Sequence, residues 1–338
     1  MRTPSLICAL FVGRLWLPSA VLAACSEKAA NDGARVDSNP SLMISSEAPR
    51  SGMGDPNTLV GTFQVKLTPE SKDEPARATV VGKVFDGPSP NPVVWEKPQV
   101  DGACTLTTPR VPFCNQPCGG SAACVEDDTC QDYPTARSVG TVSLHGLETE
   151  TGEKSFTMTP IANTYQPPAG VTLAYPPVAE GDSVILDATG DYFAGFSVMT
   201  SAVAPLELAS TPLALDSGEP LALVWTPGSV SLASIHVKLD ISHHGGTKGQ
   251  IECDQSDTGS LTVSPSLVTQ LLALGVAGYP TVIVTRHAIG SALIAAGRID
   301  LEIASVVERA VTLPGLASCT VDADCPSGKR CRADLSCM

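Results

Sequence analysis

The sequence is poor in aromatic and basic residues and has no long hydrophobic run. Aromatic residues make up 4% of the 338 residues, and 21 lysines and arginines face 35 aspartates and glutamates, a formal net charge of −14 at pH 7. Without a basic stripe the chain has little to displace counterions from phosphate, which argues against a nucleic-acid partner. No segment reaches about 18 uninterrupted apolar residues, which argues against a membrane-spanning helix.

The common catalytic signatures are also missing. The sequence contains no G-x-S-x-G, S-x-x-K or H-E-x-x-H motif and no phosphate-binding G-x-x-x-x-G-K-[ST] loop. A triad could still assemble from scattered positions, with His145, His236 or His287 as the base. His145 and His236 fall on the polar phase of their predicted strands, however, which favours solvated residues. The sequence therefore leans away from an enzyme.

The N-terminal segment predicts export. Arg2 and Arg14 supply positive charge, and a short apolar stretch runs from Leu15 through Leu22, as in a secretory signal. The following residues, Leu-Ala-Ala-Cys ending at Cys25, resemble the lipobox of bacterial lipoproteins. This resemblance implies a signal peptide over 1–24 and a lipid anchor on Cys25. The alternative is an ordinary secretory peptide cut near Ala24, with Cys25 left free.

The residue after the lipidated cysteine bears on localisation. In bacterial lipoproteins, a residue other than aspartate at this position usually directs the protein to the outer membrane, and here it is Ser26. If the source is a two-membrane bacterium, we expect an outer membrane lipoprotein on the periplasmic or cell-surface face. The membrane is then a partner through the acyl chains alone.

Cysteines are the most informative residues. Apart from Cys8 and Cys25 there are ten, an even number that in an exported chain predicts up to five disulfides: Cys104, Cys114, Cys118, Cys124, Cys130, Cys253, Cys319, Cys325, Cys331 and Cys337. The last four can close two bridges locally. The first cluster has five members, so the lone Cys253 is expected to pair with one of them, and Cys104 is favoured as the outlier. Zinc binding is the rival explanation, but finger-type spacing is absent.

The rest of the chain predicts an all-β fold. Residues 25–57 are polar and without hydrophobic period, which is typical of a flexible tether. Apolar residues then alternate with polar ones, as in 63–67, 235–241 and 299–303, and turn clusters occur at 86–88, 187–191 and 216–220. One short helix is expected, capped by Ser264 and ended by Gly275. Residues 305–311 could be a last strand or a helical turn.

These features predict an antiparallel β-sandwich over 58–316, either one large sandwich, which we favour, or two small ones split near the proline-rich stretch 165–177. A disulfide-rich insertion is expected at 104–134 and a small disulfide-rich knot at 317–338. The segments GACTLTTP, C-NQP-C-GGSAA-C-VEDDT-C-QDYP and IECDQSDTGSLTVSPSLV resemble an uncharacterised group of cysteine-rich lipoproteins of gliding soil bacteria. That likeness spans most of the mature chain and implies no activity.

A metal site is the main chemical hypothesis. The segment SHHGG, with His243 and His244, resembles the histidine pair of one metallo-β-lactamase-like hydrolase branch, but the His-x-His-x-Asp-His motif of that family is missing. We expect His243 and His244, with Asp254 and with Asp240 and Asp257 also near in sequence, to be the candidate ligands for zinc. Solvated histidines at a hairpin tip are the alternative.

Calcium and carbohydrate are the other candidate ligands. Asp127-Asp128 and Asp322-Ala323-Asp324 could coordinate calcium, although the spacing of an EF-hand loop is absent. Trp95 and Trp225 could stack on sugars, although tryptophan in an apolar strand is more often a core residue. The sequence thus favours a cell-envelope lipoprotein that acts as a binding or structural module, with no cofactor expected. A metal-assisted secreted hydrolase and a carbohydrate-binding module are the alternatives.

Overall fold

The computed structural model describes residues 55–71, 74–229 and 233–338. The predicted signal peptide, Cys25 and nearly all of the tether 25–57 lie outside these residues. The described residues belong to one compact unit, 48–338. Its elements are β1 Leu59–Thr68, β2 Arg77–Val84, β3 Val94–Asp101, β4 Cys104–Arg110, β5 Ala122–Glu126, β6 Thr129–Asp132, β7 Val142–His145, β8 Ser155–Met158, β9 Thr164–Tyr165, β10 Ser183–Gly190, β11 Ala194–Ser201, β12 Leu221–Val224, β13 Ser234–Asp240, β14 Gln250–Ser256, β15 Ser260–Val263, α1 Pro265–Ala273, β16 Thr281–Ile294, β17 Gly297–Ala310 and a 3₁₀ turn at Asp322–Asp324.

The all-β prediction is confirmed, since strands account for 47% of the described residues and helices for 4%. The largest sheet has nine strands in the order β3-β4-β14-β13-β16-β17-β1-β2-β9. Neighbouring strands in this sheet are antiparallel, except that β1 runs parallel to β17. Strands joined by a tight hairpin must be antiparallel, whereas β1 reaches β17 from the other end of the chain and is free of that constraint.

The two-residue turn between β16 and β17 creates the long central hairpin of this sheet. Ile294 lies opposite Gly297, and the pairing continues without a break to Thr281 opposite Ala310. Residues 305–311, for which a strand or a helical turn was open, therefore lie mainly within a strand.

One face of the nine-stranded sheet carries two hydrophobic cores. The first core lies between this sheet and a four-stranded sheet of order β11-β10-β7-β8, with Phe63, Leu144, Leu186 and Leu301 at its centre. Along the middle of β1 and β17, apolar residues such as Val65 and Ile303 alternate with polar ones and pack into this core. The predicted sandwich is therefore present as two packed layers.

The second core is covered by the two-stranded antiparallel sheet β12-β15 and by α1. The helix begins as predicted, with the Ser264 side chain accepting a hydrogen bond from the Leu267 amide, and Leu267, Val268 and Leu271 are buried. Gly275 follows with φ of 88°, the left-handed conformation that ends a helix. The helix prediction is confirmed.

A buried ion pair lies on the core-facing side of β16. The guanidinium of Arg286 and the carboxylate of Asp257 are 1% and 3% exposed and lie 2.7 Å apart. Arg286 also donates to the carbonyls of Ala204, Pro205 and Thr226, and Asp257 accepts from the indole of Trp225. Burial raises the pKa of Asp257, but the hydrogen bonds from Trp225, Gly228 and Arg286 outweigh it, so the pKa lies below its usual value.

One turn prediction is only partly right. Residues 187–191 were expected to form a turn, but Asp187 to Gly190 complete strand β10 and pair with β11, while Asp187 and Ala188 also pair with β7. The polar side chains Asp187 and Thr189 fall on the solvent phase of the strand. The chain reverses only at the end of the cluster, where Gly190 has φ of 88° and Asp191 begins the connection to β11.

All ten cysteines in the described residues form disulfides. Cys104 pairs with Cys253, the partner favoured from the odd count of the first cluster; they lie opposite each other on β4 and β14. The bridge joins positions 149 residues apart, and closing a loop of that size removes about 5 kcal/mol of chain entropy from the unfolded state in the simple loop model.

The remaining cysteines form two modules with one connectivity. In the first disulfide module, residues 114–130, the pairs are Cys114–Cys124 and Cys118–Cys130. In the second disulfide module, residues 319–337, they are Cys319–Cys331 and Cys325–Cys337. Both modules therefore pair the first cysteine with the third and the second with the fourth.

Candidate binding surface on the large sheet

The face of the nine-stranded sheet opposite the cores carries polar side chains. We call this the outer face; Gln64, Glu302, His287, His236 and Glu252 lie on it, on β1, β17, β16, β13 and β14. These five strands are consecutive in the sheet. None of these residues belongs to either hydrophobic cluster. The polar phase of five strands thus forms a row across the sheet.

A hydrogen-bonded chain of three side chains forms one half of this row. The Gln64 amide donates to Glu302 Oε2 at 2.7 Å, and His287 Nδ1 lies 3.0 Å from Glu302 Oε1. The side chains of His287 and Glu302 are only 19% and 17% exposed. The hydrogen bond from His287 holds the pKa of Glu302 below its usual value against the opposing effect of burial, with smaller contributions from Gln64 and His236.

The other half of the row is centred on His236. Its Nδ1 lies 2.9 Å from Asp254 Oδ1, and its Nε2 lies 4.0 Å from Glu252 Oε1. Both acidic residues are on β14, the strand paired with β13, and Asp254 is directly opposite His236. The expectation that His236 and His145 lie on polar strand phases is confirmed; the His145 side chain is 48% exposed and lies 3.5 Å from Asp187.

The structure does not bring together the predicted metal ligands His243, His244 and Asp254. The two histidines follow β13 in a loop where their rings lie 3.9 Å apart, and His243 Nε2 lies 3.9 Å from Glu308. Asp254 instead pairs with His236, because the β13–β14 register carries it away from the loop. Residues that are close in sequence are far apart in space here, because a strand rises about 3.3 Å per residue.

The other two aspartates near this loop are also engaged elsewhere. Asp240 Oδ1 accepts from the amide and the hydroxyl of Ser242, and Asp257 is in the buried pair with Arg286.

The aspartates considered for calcium cap local backbone. Asp127 accepts from the Phe113 amide and Asp128 from the Asn115 amide. Asp324 accepts from the amides of Thr320 and Val321, and Asp322 from that of Cys331. Their carboxylates thus accept backbone hydrogen bonds that hold the turns of the two disulfide modules, and Asp127 also pairs with Arg110.

Two cysteine groups are the only sets of three ligand atoms within 4.8 Å of one another in the described part of the chain: Cys114, Cys118 and Cys124, and Cys319, Cys325 and Cys337. All six sulfurs belong to disulfides, and an oxidised sulfur has no thiolate to offer a zinc ion.

The two tryptophans do not form a shared platform. Trp225 is 3% exposed within the second core, and its indole donates to Asp257 at 2.7 Å. Trp95 is half-buried on the edge strand β3. The core position of Trp225 agrees with the structural alternative considered for it.

The pairing of His287 with Glu302 was missed from the sequence. Both residues lie on the polar phase of long strands, so the period-two pattern of the sequence could have placed them on the same face of the sheet. Their contact is diagonal, since His287 is opposite Ala304 and Glu302 opposite Ile289. Only the register of the β16–β17 hairpin fixes that diagonal.

Comparison with protein families finds no family model that matches the chain, and comparison with curated proteins finds no similar protein. Among the helices of the residues described, none is both long enough and apolar enough to cross a bilayer.

Proposed function

We propose that this chain is an exported, lipid-anchored protein of the bacterial cell envelope that works by binding a ligand on the outer face of its large sheet. The observation that carries the proposal is the set of five disulfides, which use every cysteine of the described residues. Such bridges persist in oxidising compartments outside the cytoplasm. The signal-like segment before Cys25 would direct the chain out of the cytoplasm into such a compartment.

The outer face supports a binding role. The row from Gln64 to Glu252 spans five strands, and its side chains make hydrogen bonds and charge contacts within each half, Gln64 to His287 and His236 to Glu252. Polar groups already fixed in position lose little entropy when they bind a ligand. Five strands also give a broad surface, suited to a ligand approaching from solvent.

The anchor is tested by expressing the full chain in a two-membrane bacterium with a labelled fatty acid. We expect label on the wild-type protein, loss of label in Cys25→Ala, and label retained in Cys8→Ala as a matched control. Mass spectrometry of the mature N-terminus should show an acylated Cys25. An unacylated N-terminus cut near Ala24 would show an ordinary secreted protein and refute the anchor.

Localisation is tested in the same cells by separating the two membranes. The wild-type protein with Ser26 is expected in the outer membrane, and Ser26→Asp is expected to shift it to the inner membrane. Ser26→Thr serves as the control and should stay with the wild type. If all three proteins divide between the two membranes in the same proportions, the outer membrane assignment based on Ser26 is contradicted.

A further inference from the structure

We infer that His236 and His287 form a cross-strand site for a divalent transition metal such as Zn²⁺ on the outer face of the large sheet. The inference deepens the proposed function by naming a ligand for that face, and it does not depend on the lipid anchor. It differs from the sequence prediction, which placed the metal at His243, His244 and Asp254.

The first argument is the relative position of the two histidines. They lie on the adjacent antiparallel strands β13 and β16, where His236 is opposite Thr285 and His287 is opposite Ser234. They are therefore diagonal neighbours on one face, about 7–8 Å apart between Cα atoms, a separation that long side chains can bridge.

The second argument is that each imidazole is oriented from behind. Nδ1 of His236 lies 2.9 Å from Asp254, and Nδ1 of His287 lies 3.0 Å from Glu302. An ionised carboxylate only accepts hydrogen bonds, so Nδ1 donates and the lone pair of a neutral ring is on Nε2. Metal-binding histidines have this arrangement, in which the second ring nitrogen is held by a carboxylate.

The third argument is the state of the two Nε2 atoms. The nearest charged partner of His236 Nε2 is Glu252 Oε1 at 4.0 Å, beyond hydrogen-bond distance. The contacts of His287 in the structure run through Nδ1. Two Nε2 lone pairs and one nearby carboxylate are thus available on the same face. Two histidines, Glu252 and one water would complete the four ligands that zinc takes.

No three such ligand atoms of these residues lie within 4.8 Å of one another before metal binding. Closing the site requires rotation of the Glu252 side chain, which is 40% exposed, and a joint movement of His236 with Asp254, which is 76% exposed and can follow the ring. His287 and Glu302 are more buried and serve as the fixed half.

The test is isothermal titration of ZnCl₂ into the purified full chain with its disulfides intact. We expect one site per chain, weakened at least about tenfold by His236→Gln and likewise by His287→Gln. Asp254→Asn and Glu302→Gln, which leave both ligands in place, should weaken it by about 10- to 100-fold, the usual effect of removing a carboxylate behind a metal-binding histidine.

Matched controls decide between sites. His145→Gln removes a histidine of the four-stranded sheet, and His243→Gln with His244→Gln removes the loop pair; all three should bind zinc as the wild type does. Loss of binding in the loop variants with retention in His236→Gln would place the metal on the loop and overturn the inference. Absence of zinc binding by the wild type would also overturn it.

The histidine ring signals give a second readout that does not depend on affinity. In an NMR titration with Zn²⁺, the Nε2 resonances of His236 and His287 should shift together, while those of His145 stay in place. A shift of all histidines in proportion to exposure would indicate nonspecific binding and contradict the site. Zinc binding by Cys25→Ala protein would separate this result from failure of the anchor.

Discussion

In both disulfide modules the third and fourth cysteines face each other across a hairpin, Cys124 opposite Cys130 and Cys331 opposite Cys337. In both, the residue two positions before the last cysteine, Asp128 or Leu335, has a left-handed φ, 57° or 60°. The modules differ in their surroundings. In the first module Cys130 is exposed and the other cysteines are half-buried, whereas in the second module each bridge has one buried end, Cys319 or Cys337.

The second module is hydrogen-bonded to the body of the protein at Gly278. The Gly278 amide donates to the Asp334 carbonyl at 2.7 Å, and the hydroxyl of Ser318, just before the module, donates to the Gly278 carbonyl at 2.5 Å. The first module contacts the body through polar groups at its rim, such as Arg110 with Asp127. The comparison teaches that the same disulfide connectivity can hold a module without a buried cysteine or a module in which each disulfide has one buried cysteine.

The largest expected difference comes from removing one bridge from each module. Cys118–Cys130 and Cys325–Cys337 both span 12 residues, so the loop entropy they remove from the unfolded state is the same. We expect Cys325→Ser/Cys337→Ser to lower the free energy of unfolding of the sheet by about 3 kcal/mol. Cys118→Ser/Cys130→Ser should change it by less than about 1 kcal/mol, because an uncoupled module opens locally.

Denaturant unfolding followed by tryptophan fluorescence measures this, since Trp225 lies in the second core. The alanine versions of the same variants control for the new hydroxyls. Equal losses in the two modules would show that the first module is coupled to the sheet and would remove the distinction between them.

A smaller effect is expected at the glycine to which the second module is hydrogen-bonded. Gly278 has φ of 57°, and an added Cβ would lie 2.1 Å from the His243 carbonyl. Gly328, inside the module, has φ of 87° with nothing near its Cβ position. We expect Gly328→Ala to cost about 1 kcal/mol for the left-handed backbone and Gly278→Ala to cost about 1–2 kcal/mol more.

Thermal unfolding of both variants checks this prediction. Hydrogen exchange should also show faster exchange of the Cys319 and Cys337 amides in Gly278→Ala than in Gly328→Ala, because the added methyl group disturbs the hydrogen bonds of residue 278 with Asp334 and Ser318. Identical exchange in the two variants would mean that Gly278 does not hold the second module.

The smallest effect concerns pH. The Phe113 amide, followed by Arg110, holds the pKa of Asp127 below its usual value, and the Ser336 hydroxyl does the same for Asp334. A pKa lowered by folding means that the contribution to stability is present above the unfolded pKa and is lost as the pH falls through the folded pKa. Both modules should therefore loosen only below pH of about 4.

This is measured by following the Phe113 and Ser336 amide signals during an acid titration. Asp127→Asn should abolish the acid-dependent change at Phe113 only, and Asp334→Asn that at Ser336 only. If acid releases both modules together in either variant, the modules are coupled and the comparison fails.

Much of the fold could be predicted locally. Alternation over 63–67, 235–241 and 299–303 corresponds to β1, β13 and β17, and the Ser264 cap begins α1. The turn predicted at 187–191 was placed a few residues too early, because polar residues on the exposed phase of a strand look the same as turn residues in sequence. The parallel alignment of β1 with β17 had no local signal at all.

The candidate site was less predictable. Sequence proximity suggested Asp254 for the pair His243 and His244, whereas the β13–β14 register gives Asp254 to His236. His287 lies 51 positions from His236 in sequence, and the two became neighbours only when β16 paired with β13.

The amino-acid sequence by itself determined which residues face solvent on the alternating strands β1, β13 and β17 and, through the odd count of one cysteine cluster, the favoured partner of Cys253. Both follow from local spacing and from counting, which need no knowledge of neighbours. Only the tertiary structure decided which strands lie side by side, and therefore which carboxylate stands behind each histidine of the outer face. The reason is physical: the period of two fixes a side chain's face, while strand order and register depend on hydrophobic packing between residues far apart in the chain.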